Sequence, residues 1–181
     1  MRWLTFTPLA ALAICFQTTI APRLGAYGVY PDIMLILVIH YALHARTADG
    51  LLAGWMMGLL VDLTTVQRFG LVAVAYGLVA LVVWSIRDLM FPKHPLSHFS
   101  LTFLSCFAVQ LILRGYFHFS YHPDAMLASV VGAALLTAAY TGLWAIPIHW
   151  FLLRYCRALG LRSVKGGIYA SPARTKGVGL V

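Results

Sequence analysis

The sequence predicts an all-α integral membrane protein, a bundle of six helices, and three observations carry that reading. Hydrophobic residues make up 61% of the 181 positions and charged residues only 10%, whereas a soluble domain is about one-quarter charged. A soluble fold of this size cannot hide so much apolar surface, so lipid must be the solvent. The apolar residues also fall into six runs, about 3–21, 30–45, 50–64, 70–91, 97–119 and 126–152, with short polar breaks between them.

The first run, MRWLTFTPLAALAICFQTTIA, has the short basic start of a signal peptide but no clear A-x-A cleavage site. More spans follow it, so it reads as a retained first helix. PRLGAYGVYP, with two prolines and two glycines, breaks the chain before the second run. The second and third runs are short: sixteen residues at 1.5 Å each make roughly 24 Å, below the roughly 30 Å hydrocarbon core. They either span a locally thinned bilayer or form a re-entrant hairpin. Charge does not separate these cases, because a hairpin leaves every later segment oriented as before. ARTAD and TTVQRF are polar turns, RDLMFPKHP carries charges and prolines, and HFSYHPD ends the fifth run. The sixth run is too long for one straight span. Pro147 is expected to kink or end it, leaving HWFLLRYCR as a basic interfacial helix end. The membrane domain then covers residues 1–158, and residues 159–181 form a basic, glycine-containing tail expected to be flexible.

The five acids are all aspartates, and the net charge is +8. In a soluble protein this would point to nucleic acid. Here the cations gather in loops and at the C-terminus, as in the positive-inside pattern, and no nucleic-acid partner is expected. With the N-terminus inside, ten lysines and arginines fall on the inner face: Arg2, Arg46, Arg87, Lys93, Arg154, Arg157, Arg162, Lys165, Arg174 and Lys176. Three, Arg23, Arg68 and Arg114, fall outside. Without residues beyond 155 the ratio is five to three. Both termini are therefore expected in the cytoplasm, in a multi-pass protein of the inner membrane. Arg154, Arg157, Arg162 and Lys165 directly follow a membrane segment and are expected to meet anionic lipid. Cys15 and Cys106 sit mid-segment and Cys156 near the basic end, so no disulfide is expected.

GLLAGWMMGLLVD, residues 50–62, places Gly50, Gly54 and Gly58 four apart and puts Asp62 next on the same spacing. On a helix these glycines share one face and cut a shallow groove that lets another helix approach closely. That helix belongs either to this bundle or to a partner protein. Asp62 is more specific, since an ionisable residue at a membrane helix end is costly unless paired or wet. Topology puts it on the outer side with Arg23, Asp32, Arg68 and Arg114. Arg114 sits within the last turns of its segment and must snorkel or find a carboxylate. The cluster reads either as ordinary ion pairing and helix capping or as a recognition face.

Residues 30–79 resemble the rod-shape-determining MreD family. Pro31 and Asp32 open an apolar helix, and Arg46 marks a basic turn. Gly50, Gly54 and Gly58 close on Gly-Leu-Leu-x-Asp at Asp62, and Gly70 opens the next helix. Asp49 in the turn, the many histidines and the long basic tail depart from that pattern. The resemblance implies an inner-membrane component of the cell-elongation machinery, working with the bitopic scaffold MreC. It also implies the MreB filament, a RodA-type glycosyltransferase and a class B penicillin-binding transpeptidase as direct or indirect partners. It further implies a fold similar to the S-components of energy-coupling-factor transporters, and no catalytic activity.

Tempting chemistry is thin by comparison. His40 and His44 stand at i, i+4, a metal-ligand spacing, but a zincin needs H-E-x-x-H and the chain has no glutamate. Helix packing near the inner interface is the preferred reading, and no metal or cofactor is expected. His118, His122 and Asp124 cluster on the outer side and could bind a metal, but a wet loop explains them as well. There is no G-x-S-x-G, Walker loop or C-x-x-C, and no catalytic residue is nominated. The function expected is a non-enzymatic scaffold of the peptidoglycan elongation complex. The alternative is a solute-binding subunit of a vitamin or metal transporter, which would show a deep, closed cavity lined by polar groups.

Overall fold

The computed structural model describes residues 3–25, 29–45, 47–65, 68–87, 95–121 and 127–155. Among them run six helices: α1 Trp3–Thr19, α2 Ile33–His44, α3 Thr47–Thr64, α4 Leu71–Ile86, α5 Pro95–Tyr121 and α6 Leu127–Tyr155. Two stretches, Ser97–Ser120 and Leu127–Leu152, are long and apolar enough to cross a membrane. Arg46, His122, Asp124, Arg157, Arg162 and Lys165, and with them the tail, lie outside the described residues.

The helix ends depart from the sequence reading in instructive ways. α2 starts only at Ile33 because Asp32 occupies its N-cap. α3 takes in Thr47, Ala48 and Asp49 from the expected ARTAD turn, and an aspartate in a first turn suits the helix dipole. α5 continues to Tyr121, so His118 is a buried helical residue and not part of a wet loop. α6 passes through Pro147 and continues to Tyr155, so that proline does not end the helix. Proline removes one backbone donor, and the long, packed helix on either side tolerates the loss.

α2 is the axis of the bundle. It touches each of the other five helices, and eleven of its twelve residues are buried. A helix apolar on every side belongs in a core, and twelve residues make only about 18 Å. Its shortness is therefore the shortness of a central strut wrapped by longer helices.

The glycine face closes on the chain's own helices. A Cβ at Gly50 would stand 3.4 Å from Ala42 Cα of α2. One at Gly54 would stand 2.8 Å from Ala80 Cβ of α4 and 3.4 Å from Val38 of α2. One at Gly58 would collide with Ala73 Cα and lie 2.9 Å from both Ala73 N and Val72 O. α3 thus lies nearly backbone to backbone against the first turn of α4.

Candidate functional site

That close approach positions Asp62. α4 opens on Gly70, in the left-handed region at φ 97°, with no side chain of its own to cap the helix. The cap comes from α3 instead. Asp62 Oδ2 accepts from the amides of Gly70 at 3.1 Å and Ala73 at 2.9 Å, and Oδ1 accepts from Val72 at 3.2 Å. The first amides of a helix have no partner within it and favour an anion. Asp62 is buried, and its oxygens face inward onto these amides. Of the two readings the sequence allows for Asp62, this contact is helix capping, and the helix capped is the one that Gly70 opens.

Asp32 does a similar task nearby. Its Oδ1 accepts from the Leu35 amide of α2 at 3.2 Å. The Tyr76 hydroxyl of α4 lies 2.8 and 2.7 Å from its two oxygens. The Asp32 amide donates to Thr141 Oγ1 of α6 at 3.1 Å. Gln17 of α1 completes the knot, accepting from the Ile33 amide at 2.8 Å and donating to Pro31 O at 3.3 Å. Four helices are thereby tied at the start of α2.

The arginines of the expected outer cluster find other partners. Arg114 donates to Gln110 Oε1 at 3.1 Å and to Thr137 Oγ1 at 3.3 Å, so neutral groups do the work expected of a carboxylate. Arg68 is exposed, with its guanidinium 5.6 Å from the Tyr116 ring centre. Arg23 is exposed beyond α1. Beside Arg68 begins an apolar groove of about 780 Å³ between α4 and α5, lined by Val74, Leu78 and Val82 on one wall and Leu104, Ala108 and Ile112 on the other.

The opposite end of α2 carries histidines. His40 Nδ1 lies 3.1 Å from His149 Nδ1 of α6, and His44 Nδ1 lies 2.9 Å from the His40 carbonyl. The His98 ring of α5 lies tilted against that of His149, with ring centres 3.8 Å apart. Sequence reading found the i, i+4 pair but not its two companions, which lie 58 and 109 residues from His40. Arg154, in the last turn of α6, lies exposed with its guanidinium 6.0 Å from the Trp150 ring centre.

A family model described as rod shape-determining protein MreD matches residues 1–159. The chain belongs to the MreD family. The family is one of membrane proteins that act in rod shape determination as structural components and not as enzymes. No curated protein and no solved structure matches the chain significantly. The knot at Asp32 and the cap at Asp62 fall on residues that carried the resemblance to MreD, and the histidine cluster does not.

Proposed function

We propose that this MreD-family chain is a non-enzymatic, multi-pass scaffold of the inner membrane. It holds the peptidoglycan elongation complex together by binding the single transmembrane helix of an MreC-like bitopic partner. Through that partner it reaches the MreB filament, the RodA-type glycosyltransferase and the class B penicillin-binding transpeptidase. Both termini lie in the cytoplasm, from the ten-to-three excess of basic residues. Arg154, Arg157, Arg162 and Lys165 rest on anionic lipid, each contributing about 1 kcal/mol at low salt. A bundle similar to the S-components of energy-coupling-factor transporters belongs to the same reading.

The observation that carries the binding mode is where the apolar surface remains open. Gly50, Gly54 and Gly58 are covered by α2 and α4, so they shape the bundle and leave no groove for a partner. The face between α4 and α5 is open and apolar from Gly70 to Ile86, roughly 25 Å at 1.5 Å per residue. That is most of the roughly 30 Å hydrocarbon core, so the groove can cover the greater part of a membrane-crossing helix, with Arg68 and Tyr116 at one mouth. The rival solute-binding reading asks for a closed, polar-lined cavity, and this groove is neither.

Co-purification with the MreC-like protein of the same organism tests the proposal. Leu78→Trp and Leu104→Trp, which fill the groove from opposite walls, should reduce recovery of the partner at least tenfold while the melting temperature in detergent stays within a few degrees. Undiminished recovery with both substitutions would refute the groove as the docking face. Failure of the wild-type chain to retain the partner would refute the scaffold reading itself.

A further inference from the structure

Four histidines from three helices converge at the end of the bundle away from the aspartates. His40, His44 and His149 are buried, and one ligand nitrogen from each lies within 4.8 Å of the other two. Their rings interlock: His40 and His44 stack at 4.5 Å, and His40 and His149 meet edge to face at 4.7 Å. His98 covers His149 from α5 at 3.8 Å. Imidazoles inside a membrane bundle are costly to keep and call for a function.

The hydrogen bonds fix how these rings present their lone pairs. A carbonyl only accepts, so the contact to the His40 carbonyl requires the proton of His44 to sit on Nδ1. In the neutral ring the lone pair is then on Nε2. Metal-binding histidines usually donate one ring N–H to a carbonyl or carboxylate and offer the other nitrogen to the ion. His149 Nε2 is buried with no hydrogen-bond partner, so no contact of that atom keeps the ring's lone pair away from Nδ1. The His40 and His149 Nδ1 atoms are 3.1 Å apart. Nitrogens about 2.0–2.1 Å from one tetrahedral ion stand about 3.3 Å from each other.

We propose that His40, His44 and His149 form a three-histidine binding site for a divalent transition metal ion of the zinc class, its fourth position left to water. The donor set decides the class. Imidazole nitrogen suits zinc and its neighbours in the first transition row, while magnesium and calcium need oxygen. The site also has a favourable field, because His44 is the last residue of α2 and a helix C-terminus attracts a cation. Bound there, the ion would staple α2 to α6 at the end of α2 away from Asp32. Metal was not expected from the sequence because the i, i+4 pair alone lacks the ligands that the fold supplies.

The test uses the full chain in detergent, carrying an affinity tag without histidine. After chelator treatment the protein is titrated with zinc and with cobalt. The expected results are about one zinc per chain by elemental analysis, the intense visible bands of tetrahedral cobalt, and a rise in melting temperature on the order of 5 °C. His44→Gln should weaken zinc binding at least tenfold. His118→Gln, at the far end of α5, should leave it unchanged. Wild-type protein that takes up no stoichiometric zinc and gives no tetrahedral cobalt spectrum would overturn the site. So would equal loss of binding in His44→Gln and His118→Gln. Retention of nickel or copper with no zinc or cobalt would overturn the assignment to the zinc class.

Discussion

The two ends of α2 are both polar and both buried, yet they are built on opposite chemistry. At the Asp32 end, carboxylate acceptors meet donors, the amides of α2 and α4 and a tyrosine hydroxyl, while Thr141 and Gln17 accept from the Asp32 and Ile33 amides. At the His44 end, ring nitrogens face one another across 3.1 Å, and at most one of that pair can carry the proton between them. The first arrangement satisfies itself and fixes helix ends. The second gathers three ring nitrogens within 4.8 Å of one another and, on the proposal above, is completed by a cation. Burial alone therefore says little about role; the balance of donors and acceptors says more.

The sharpest way to break the comparison is at Gly58. A leucine there cannot coexist with Ala73 in the present packing, so α3 and α4 must part and the Asp62 cap is lost with them. Overpacking alone costs about 1–3 kcal/mol, and loss of hydrogen bonds to a charged group adds about 1.5–3 kcal/mol. Gly58→Leu should accordingly show a strongly lowered melting temperature in detergent, or no folded protein at all.

Asp62→Asn is the next test. It keeps the shape but turns one of two acceptor oxygens into a donor facing backbone N–H groups. A loss of about 2–3 kcal/mol is expected, read as a lower melting point with partner recovery falling in parallel. A recovery that falls while the melting point holds would instead make Asp62 a recognition residue. The smallest effect belongs to the other end. In metal-free protein, His44→Gln removes one neutral hydrogen bond, worth about 0.5–1.5 kcal/mol. Its melting temperature should stay close to that of the metal-free parent. A large drop would mean that the histidines, like the aspartates, hold the bundle by themselves.

The residues of the Asp32 end were legible in outline. Pro31-Asp32 opening an apolar run, four-residue glycine spacing and an aspartate on that spacing all reached the page from sequence. What they touch did not. Charge reasoning offers Arg114 either snorkelling or a carboxylate, and the structure gives it Gln110 and Thr137. Charge reasoning sees sign but not the hydroxyls and amides that packing brings within reach. Tyr76 and Gln17, which complete the Asp32 knot, have no local signal at all.

By itself the sequence determined the all-helical class, the six apolar segments, the family and the close-packing face of α3. The class and segments rest on composition and apolar runs, the family on a resemblance of motifs over residues 30–79, and the α3 face on four-residue glycine spacing, all of them local properties of the chain. Only the tertiary structure decided that the glycine face is filled by α2 and α4, that Asp62 caps a helix other than its own, and that His98 and His149 join His40 and His44. Each of those is a contact between helices, some with more than a hundred residues between them. Helical periodicity tells which side of a helix is apolar or small, and packing alone tells what that side meets.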